Sequence, residues 1–394
     1  MNFKNTCLKK YLVFIVFIFL IFINFNQSIA SSTIKKSLII NSRSNTLYVG
    51  GSGQGNYTKI QDAIYNASSG DTIFVYDDNS PYVENVRIFK SINLIGENKN
   101  TTIIDGGGWG NVFHVISDGV NIKGFTITNG RYGLIISSIY NSITNNIITN
   151  NLEGISLSKS KNHIGENYIQ NNVYAINLED SENNTIIENI IVDNVGGLFI
   201  IDCKLNIINN NRIHRNKGGI IQLGSDNITI INNKIYSNNY GIYFKKSRDN
   251  EIIGNNITSN NQYGIFLYNS SFNKIILNNN ISYNIRGIRL RNNCSHNIIY
   301  QNNFLNNTHN AIDECNNTWD NGKYGNYWSD YKEKYPEAEK KPMKPWMWNI
   351  PYEIDSGNNI DNCPLIKQWY NLDISNNFQE FNQDCNQYFF EILR

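Results

Sequence analysis

The sequence predicts an all-β fold, a right-handed parallel β-helix wound from coils of about 22 residues, and three residue columns predict it. An Asn-x-Ile unit recurs at Asn141/Ile143, Asn162/Ile164, Asn184/Ile186, Asn206/Ile208, Asn250/Ile252, Asn273/Ile275 and Asn297/Ile299, with a looser Asn-Ile-Thr-Ile at Asn227 filling the gap. These asparagines are 21, 22, 22, 21, 23, 23 and 24 residues apart. A second column, Asn146, Asn167, Asn189, Asn211, Asn233, Asn255, Asn279 and Asn302, runs in phase. A third sets a small residue before two alternate apolar ones, from Gly154-Ile155-x-Leu157 to Gly287-Ile288-x-Leu290.

Each element follows from these columns. Apolar residues alternate with polar ones, the period of a strand with one buried face, and no helical period intervenes. A coil of this length holds three short strands and their turns but not a strand with a crossover helix, which needs about 30 residues. Each strand must then pair in parallel with its equivalent one coil later, ~4.8 Å away, so roughly nine to eleven coils make a rod of about 45–55 Å. The handedness rule for parallel crossovers makes the coil right-handed. Asparagine serves twice, tolerating left-handed backbone at turns and stacking its amides into ladders. The apolar pair after Gly219 runs one residue late, through Ile220-Ile221-Gln222-Leu223, which predicts a local bulge.

The ends differ from the middle. Residues 1–30 read as a signal peptide: Lys4, Lys9 and Lys10 precede an apolar run from Tyr11 to Ile23, and Ser28-Ile29-Ala30 supplies small residues for cleavage. The competing reading is an uncleaved N-terminal anchor, the only membrane attachment the sequence suggests. Residues 31–45 form a linker, and 46–117 a cap with the first irregular coils. There Thr58-x-x-Gln61 has a capping-box pattern, and Ile60, Ala63, Ile64 and Ala67 share one helical face that would cover the open first coil. Regular repeats occupy 118–317. Residues 318–370 lose the period and gain aromatics, as expected of a second cap, with Lys332–Pro345 as an exposed loop and 371–394 a polar tail.

Composition narrows the function. A net charge of +1 leaves no basic stripe to neutralise phosphates and speaks against nucleic acid. Of six cysteines, Cys7 falls in the signal, Cys294 and Cys315 lie one coil apart and could bridge, Cys363 and Cys385 could pair in the tail, and Cys203 is left over. No spacing looks like a metal site.

The stretches Asn56-Tyr-Thr-Lys-Ile-Gln-Asp-Ala-Ile64, Ser91-Ile-Asn-Leu-Ile-Gly96 and Gly124-Phe-Thr-Ile-Thr-Asn-Gly130, with the closing Gly325-Asn-Tyr-Trp-Ser-Asp-Tyr331, Pro351-Tyr-Glu-Ile354 and Asn359-Ile-Asp-Asn-Cys-Pro-Leu365, resemble the NosD-like β-helix family over about residues 46–369. The resemblance implies a place in the pectin-lyase-like, carbohydrate-binding and sugar-hydrolase group, likeness to archaeal surface proteins, and export to the cell surface or beyond. It also implies copper delivery. Where some relatives carry an Asp-rich, calcium-like loop, this chain has Lys332-Glu-Lys-Tyr-Pro and Lys340-Lys-Pro-Met-Lys-Pro, which speaks against calcium.

Three functions are weighed. Copper needs clustered soft donors, but His114, His163, His214, His296 and His309 fall at unrelated coil positions, and Met343 and Met347 in a basic loop. A polysaccharide lyase or hydrolase needs carboxylates on adjacent coils; Asp180/Asp202 and Glu166/Glu188 are each 22 apart, yet each lies beside a turn without a third acid or an arginine. The third is a non-catalytic glycan-binding or structural module of the cell envelope, contacting polysaccharide or envelope protein. Tyr240, Tyr243, Tyr263, Phe266, Arg286 and Arg289 would share one outward face of neighbouring coils, an aromatic and basic patch suited to sugar stacking. Sequons at Asn56, Asn66, Asn100, Asn183, Asn269, Asn293, Asn306 and Asn316 suggest a glycoprotein.

Overall fold

A computed structural model describes residues 44–369. The signal peptide or anchor, nearly all of the linker, Cys385 and the polar tail lie outside the described residues.

Three parallel sheets form the sides of a right-handed coil. The first has 13 strands, from Thr46–Val49 to Asn316–Thr318; the second has 12, from Tyr82–Val83 to Tyr327–Trp328; the third has 11, from Val86–Ile88 to His309–Asp313. Thirteen strands at ~4.8 Å per step span about 58 Å, longer than the repeat alone predicts, because irregular strands at both ends join the same sheets. Like residues pile in files. Ile143, Ile164, Ile186, Ile208, Ile230, Ile252, Ile275 and Ile299 are register partners, each fully buried. At about 1.5–3 kcal/mol for each buried aliphatic side chain, such files supply the main favourable term.

The asparagines hold the corners, in a division of labour the sequence did not reveal. The ladder asparagines have ordinary backbone, and the residue before each takes the left-handed conformation, as at Asn145, Glu166, Glu188 and Asn210. In the second column the Asn189 N–H donates to Asn211 Oδ1 at 2.9 Å, and the Asn211 N–H to Asn233 Oδ1 at 2.9 Å. A third file, Asn151, Asn172, Asn194, Asn216, Asn238, Asn260, Asn284 and Asn307, closes the turn into the third sheet. A fourth uses Ser and Cys, the N–H of Cys203 donating to Ser225 Oγ and that of Ser270 to Cys294 Sγ. Turn amides that no strand can pair are satisfied this way. The first column's gap belongs to Ile228, whose N–H donates to Asn250 Oδ1, whereas Asn227 takes the preceding left-handed position. Sequon residues Asn183, Asn293 and Asn306 occupy such exposed turn positions beside the ladders.

Cys294 and Cys315 stack one coil apart as free thiols, so the expected bridge is absent. Their sulfurs fill ladder positions, and Cys315 Sγ accepts the Cys294 N–H at 3.2 Å. Cys363 is a buried free thiol and Cys203 is buried.

The expected bulge is also absent. Ile220, Ile221 and Gln222 keep register with Ile242, Tyr243 and Phe244. Gln222 therefore occupies a core position, fully buried, with Nε2 donating to the Ser225 carbonyl at 2.7 Å and Oε1 without a partner. Gln222→Met keeps the volume and removes the orphaned acceptor, while Ser225 O retains Asn250 Nδ2. It is expected to stabilise the chain by about 1 kcal/mol, read as a raised denaturant midpoint.

The helix Ile60–Asn66 covers the first coil with Ile60, Ala63 and Ile64, as predicted. Its start is capped differently. No side chain caps it locally; Glu84 Oε1 and Oε2 accept the Ile60 and Gln61 N–H groups at 2.9 and 3.1 Å, and Gln61 instead pairs with the Arg87 backbone.

At the other end Trp328 stacks between Phe304 and Tyr352, with ring centroids 4.4 and 4.1 Å away. The supposed loop after Tyr331 is partly structured, as a short helix Tyr331–Lys334 and an antiparallel pair, Lys340–Lys341 with Lys344–Trp348. Fully buried Asp361 ends the second asparagine file, accepting the Asn326 N–H at 2.7 Å, Trp328 Nε1–H at 2.9 Å and the Cys363 N–H at 3.0 Å. Gly325 packs so closely that a Cβ there would stand 1.8 Å from Asp361 Oδ1.

Candidate functional site

Residues of the third sheet alternate between core and surface, so the position before each small residue and the second position after it face outward. Parallel register turns this into two surface files, Tyr240–Tyr263–Arg286 and Phe199–Ile221–Tyr243–Phe266–Arg289. The six residues singled out from the sequence are thus brought together.

The rings form a continuous floor. Tyr240 stacks on Tyr263 at 5.5 Å, Tyr243 on Phe266 at 5.2 Å, and Tyr263 lies 4.7 Å from Phe266. Phe199 extends it, meeting Tyr174 edge-on at 4.7 Å. Partial burial raises the Tyr243 pKa, with Tyr268 and Tyr240 close by, so the phenol stays neutral and usable as a hydrogen-bond group. The two arginines differ. Arg289 is already engaged: Nε donates to Glu314 Oε1 at 3.1 Å and Nη1 to Tyr263 Oη at 3.3 Å, and the Glu314 hydrogen bond raises its pKa. Arg286 lies over the Tyr263 ring at 5.2 Å, with no carboxylate partner among the described residues.

The acid columns belong to turns. Asp180, Asp202, Glu166 and Glu188 all have left-handed backbone and exposed side chains at coil corners, positions that serve chain reversal. The histidines stay apart: His114 on the third sheet, His163 on the first, His214 on the second, His296 at a corner and His309 near the last coil. Met347 is buried while Met343 is exposed. Among the described residues no three His, Cys, Asp or Glu side chains converge to hold a metal ion.

Two features escaped the sequence reading. Arg215 clamps Asp193 one coil earlier, Nε to Oδ1 at 2.7 Å and Nη2 to Oδ2 at 2.6 Å, which lowers the Asp193 pKa; their 22-residue spacing was the available signal. Beside them His214 stacks on Tyr236 at 4.6 Å, its Nδ1 buried without a partner, and burial followed by Arg215 lowers its pKa. The corner carrying the Asp193–Arg215 pair is concave, a trough of about 650 Å3 that reaches from Asn151 to Asn261.

No curated protein matches the chain. Among solved structures it is similar to the A-module of the mannuronan C-5 epimerase AlgE6 from Azotobacter vinelandii, with a TM-score of 0.53 and 13% identity over 66% of this chain and 91% of that one. It is also similar to tailspike protein 2 of the Escherichia coli O157:H7 bacteriophage CAB120, with a TM-score of 0.51 and 12% identity over 66% of this chain and 43% of that one. At such identities the likeness is one of fold. The model of a family described as "Periplasmic copper-binding protein (NosD)" matches residues 64–239 and 219–333, more than half the sequence. By that match, the chain belongs to the NosD family of parallel β-helix proteins.

Proposed function

We propose that this chain is an exported, non-catalytic β-helix module of the cell envelope that binds glycan through the aromatic floor of its third sheet. The observation that carries this reading is the stacked set Tyr240, Tyr243, Tyr263 and Phe266, half-buried and flat on a rigid sheet. Sugar rings offer apolar faces to such rings and hydroxyls to the neighbouring phenols. Export is supported by the charged-then-apolar character of residues 1–30 and by the family's periplasmic description. The structural likeness to polysaccharide-acting proteins agrees with a glycan partner without naming one.

Copper, which the family's description names, is not well served by this chain's donors: the histidines lie on different coils without converging, and the thiols of Cys294 and Cys315 accept ladder hydrogen bonds. Hydrolysis or elimination finds no support in the acid columns, which sit at solvated corners.

Binding of the full chain to immobilised polysaccharides tests the reading. Tyr243→Ala with Phe266→Ala is expected to weaken binding roughly tenfold while leaving far-UV circular dichroism unchanged. Binding that survives the double substitution would remove the floor from the site, and turnover of a polysaccharide lost in Asp180→Ala or Asp202→Ala would favour the enzyme reading.

A further inference from the structure

The trough between the second and third sheets and the aromatic floor are parts of one surface. The trough runs along the coil axis: its lining comes from six successive coils, between Asn151 and Asn261, a reach of about 24 Å at ~4.8 Å per coil. Its base is the third asparagine file, whose amides are consumed by the ladder. On the side of the third sheet, the outward file that carries Tyr174, Tyr240 and Tyr263 reads Tyr174, Gly196, Gly218, Tyr240. The two glycines leave the wall between trough and floor without side chains. A Cβ at Gly196 would stand 2.2 Å from Phe199 Cε2, and one at Gly218 2.8 Å from Ile221 Cδ1, so Phe199 and Ile221 cover the buried glycines and carry the floor up to the edge of the trough.

The charges around this surface are unequal in availability. Asp193 and Arg215 neutralise one another. Arg289 is held by Glu314. Lys217, exposed in the trough wall beside Gly218, has no ion pair among the described residues, and neither has Arg286. The register file runs from Gly218, next to Lys217, through Tyr240 and Tyr263 to Arg286, so the two free cations bracket the rings, three coil steps or ~14 Å apart along the axis.

Resting on the glycan-binding reading, we infer that the ligand is a linear acidic polysaccharide lying along the coil axis, its sugar faces on the aromatic floor and its carboxylates read by Lys217 and Arg286. A long chain matches an open axial trough better than a compact sugar does. Two unpaired cations at the ends of an aromatic floor favour a polymer that carries negative charge at intervals along its length.

The test uses the full chain and two forms of one polymer, a polyuronate and the same polyuronate with its carboxyl groups reduced to alcohols. Affinity is measured by titration calorimetry at low and at moderate salt. Wild-type protein should bind the polyuronate at least tenfold more tightly than the reduced polymer, with the preference shrinking as salt rises. Lys217→Gln and Arg286→Gln should each lower polyuronate affinity roughly fivefold and leave the reduced polymer's affinity unchanged. Tyr243→Ala with Phe266→Ala should weaken both polymers alike. Equal affinity for the two polymers would overturn the acidic specificity while leaving glycan binding intact. Binding of neither polymer would overturn the specificity together with the reading beneath it.

Discussion

Asn211→Ala is expected to destabilise the coil by about 3–5 kcal/mol, far more than an ordinary exposed-to-alanine change. The side chain bonds on two levels. Its Oδ1 accepts the Asn189 N–H at 2.9 Å and Asn189 Nδ2–H at 3.0 Å; its Nδ2 donates to the carbonyls of Ile186 at 2.8 Å and Asn209 at 3.0 Å, and to Asn233 Oδ1 at 3.0 Å. Alanine leaves the Asn189 N–H without an acceptor in a site water does not reach, and takes one donor each from the Ile186 and Asn209 carbonyls, of which the latter keeps the Glu188 N–H at 3.1 Å. The buried orphan costs about 1–3 kcal/mol and each further lost hydrogen bond about 1 kcal/mol. The neighbouring Asn210 is the control. Its backbone is left-handed and its side chain points away from the ladder, so Asn210→Gly should change stability by less than about 0.5 kcal/mol. Chemical denaturation of both variants gives the comparison. Equal small effects would mean that the corner amides are ornamental and that the isoleucine files alone hold the register.

The closing cap should lose stability as pH rises toward neutrality. Asp361 is fully buried, and burial pushes its pKa from 3.8 up to about 7 against the pull of three N–H donors, those of Asn326, Trp328 and Cys363. A carboxyl group whose pKa is higher folded than unfolded favours the fold while it is protonated in both states, below pH 3.8. That contribution drains away between pH 3.8 and about 7, where the unfolded chain ionises and the folded one resists, and the rise corresponds to about 4 kcal/mol. Thermal unfolding followed by Trp328 fluorescence should show the cap's midpoint falling across that window. Asp361→Asn keeps an acceptor for the Trp328 indole and should flatten the pH dependence. A midpoint in the wild type that climbs with pH over the same range would show that the N–H donors outweigh burial and that the carboxylate is the favoured form.

The architecture was legible wherever a column kept both its residue type and its phase. Asn162, Asn184 and Asn206 announce a file because each precedes a strand with the same apolar alternation, and the structure stacks them at hydrogen-bond distance. The third file was hidden by its surroundings: Asn151 follows Asn150 and Asn172 follows Asn171, so like neighbours blurred which residue carried the phase. The Ser and Cys file was hidden by chemical variety, since a hydroxyl and a thiol do the same work as acceptors there. Gln222 misled in the opposite sense, because a polar residue at a core position looks like a register slip until the strand pairing is seen. The aromatic floor was readable because two-residue alternation fixes which side chains face outward. The trough was not, since its lining comes from corner residues of six coils that become neighbours only once the chain is wound. Asp361 could not be assigned from sequence at all: its partner Asn326 is 35 residues away and meets it only after the chain has folded back over the last coil.

One file of amides is interrupted, at Ile228. In a linear stack, each layer communicates only with the layers above and below it, so anything that weakens one contact weakens the whole line of transmission. Isoleucine keeps the apolar interior but offers Asn206 no amide to grip, so across this one step the rod relies on its other files, Cys203 to Ser225, Asn211 to Asn233 and Asn216 to Asn238, and on the unbroken strand pairing.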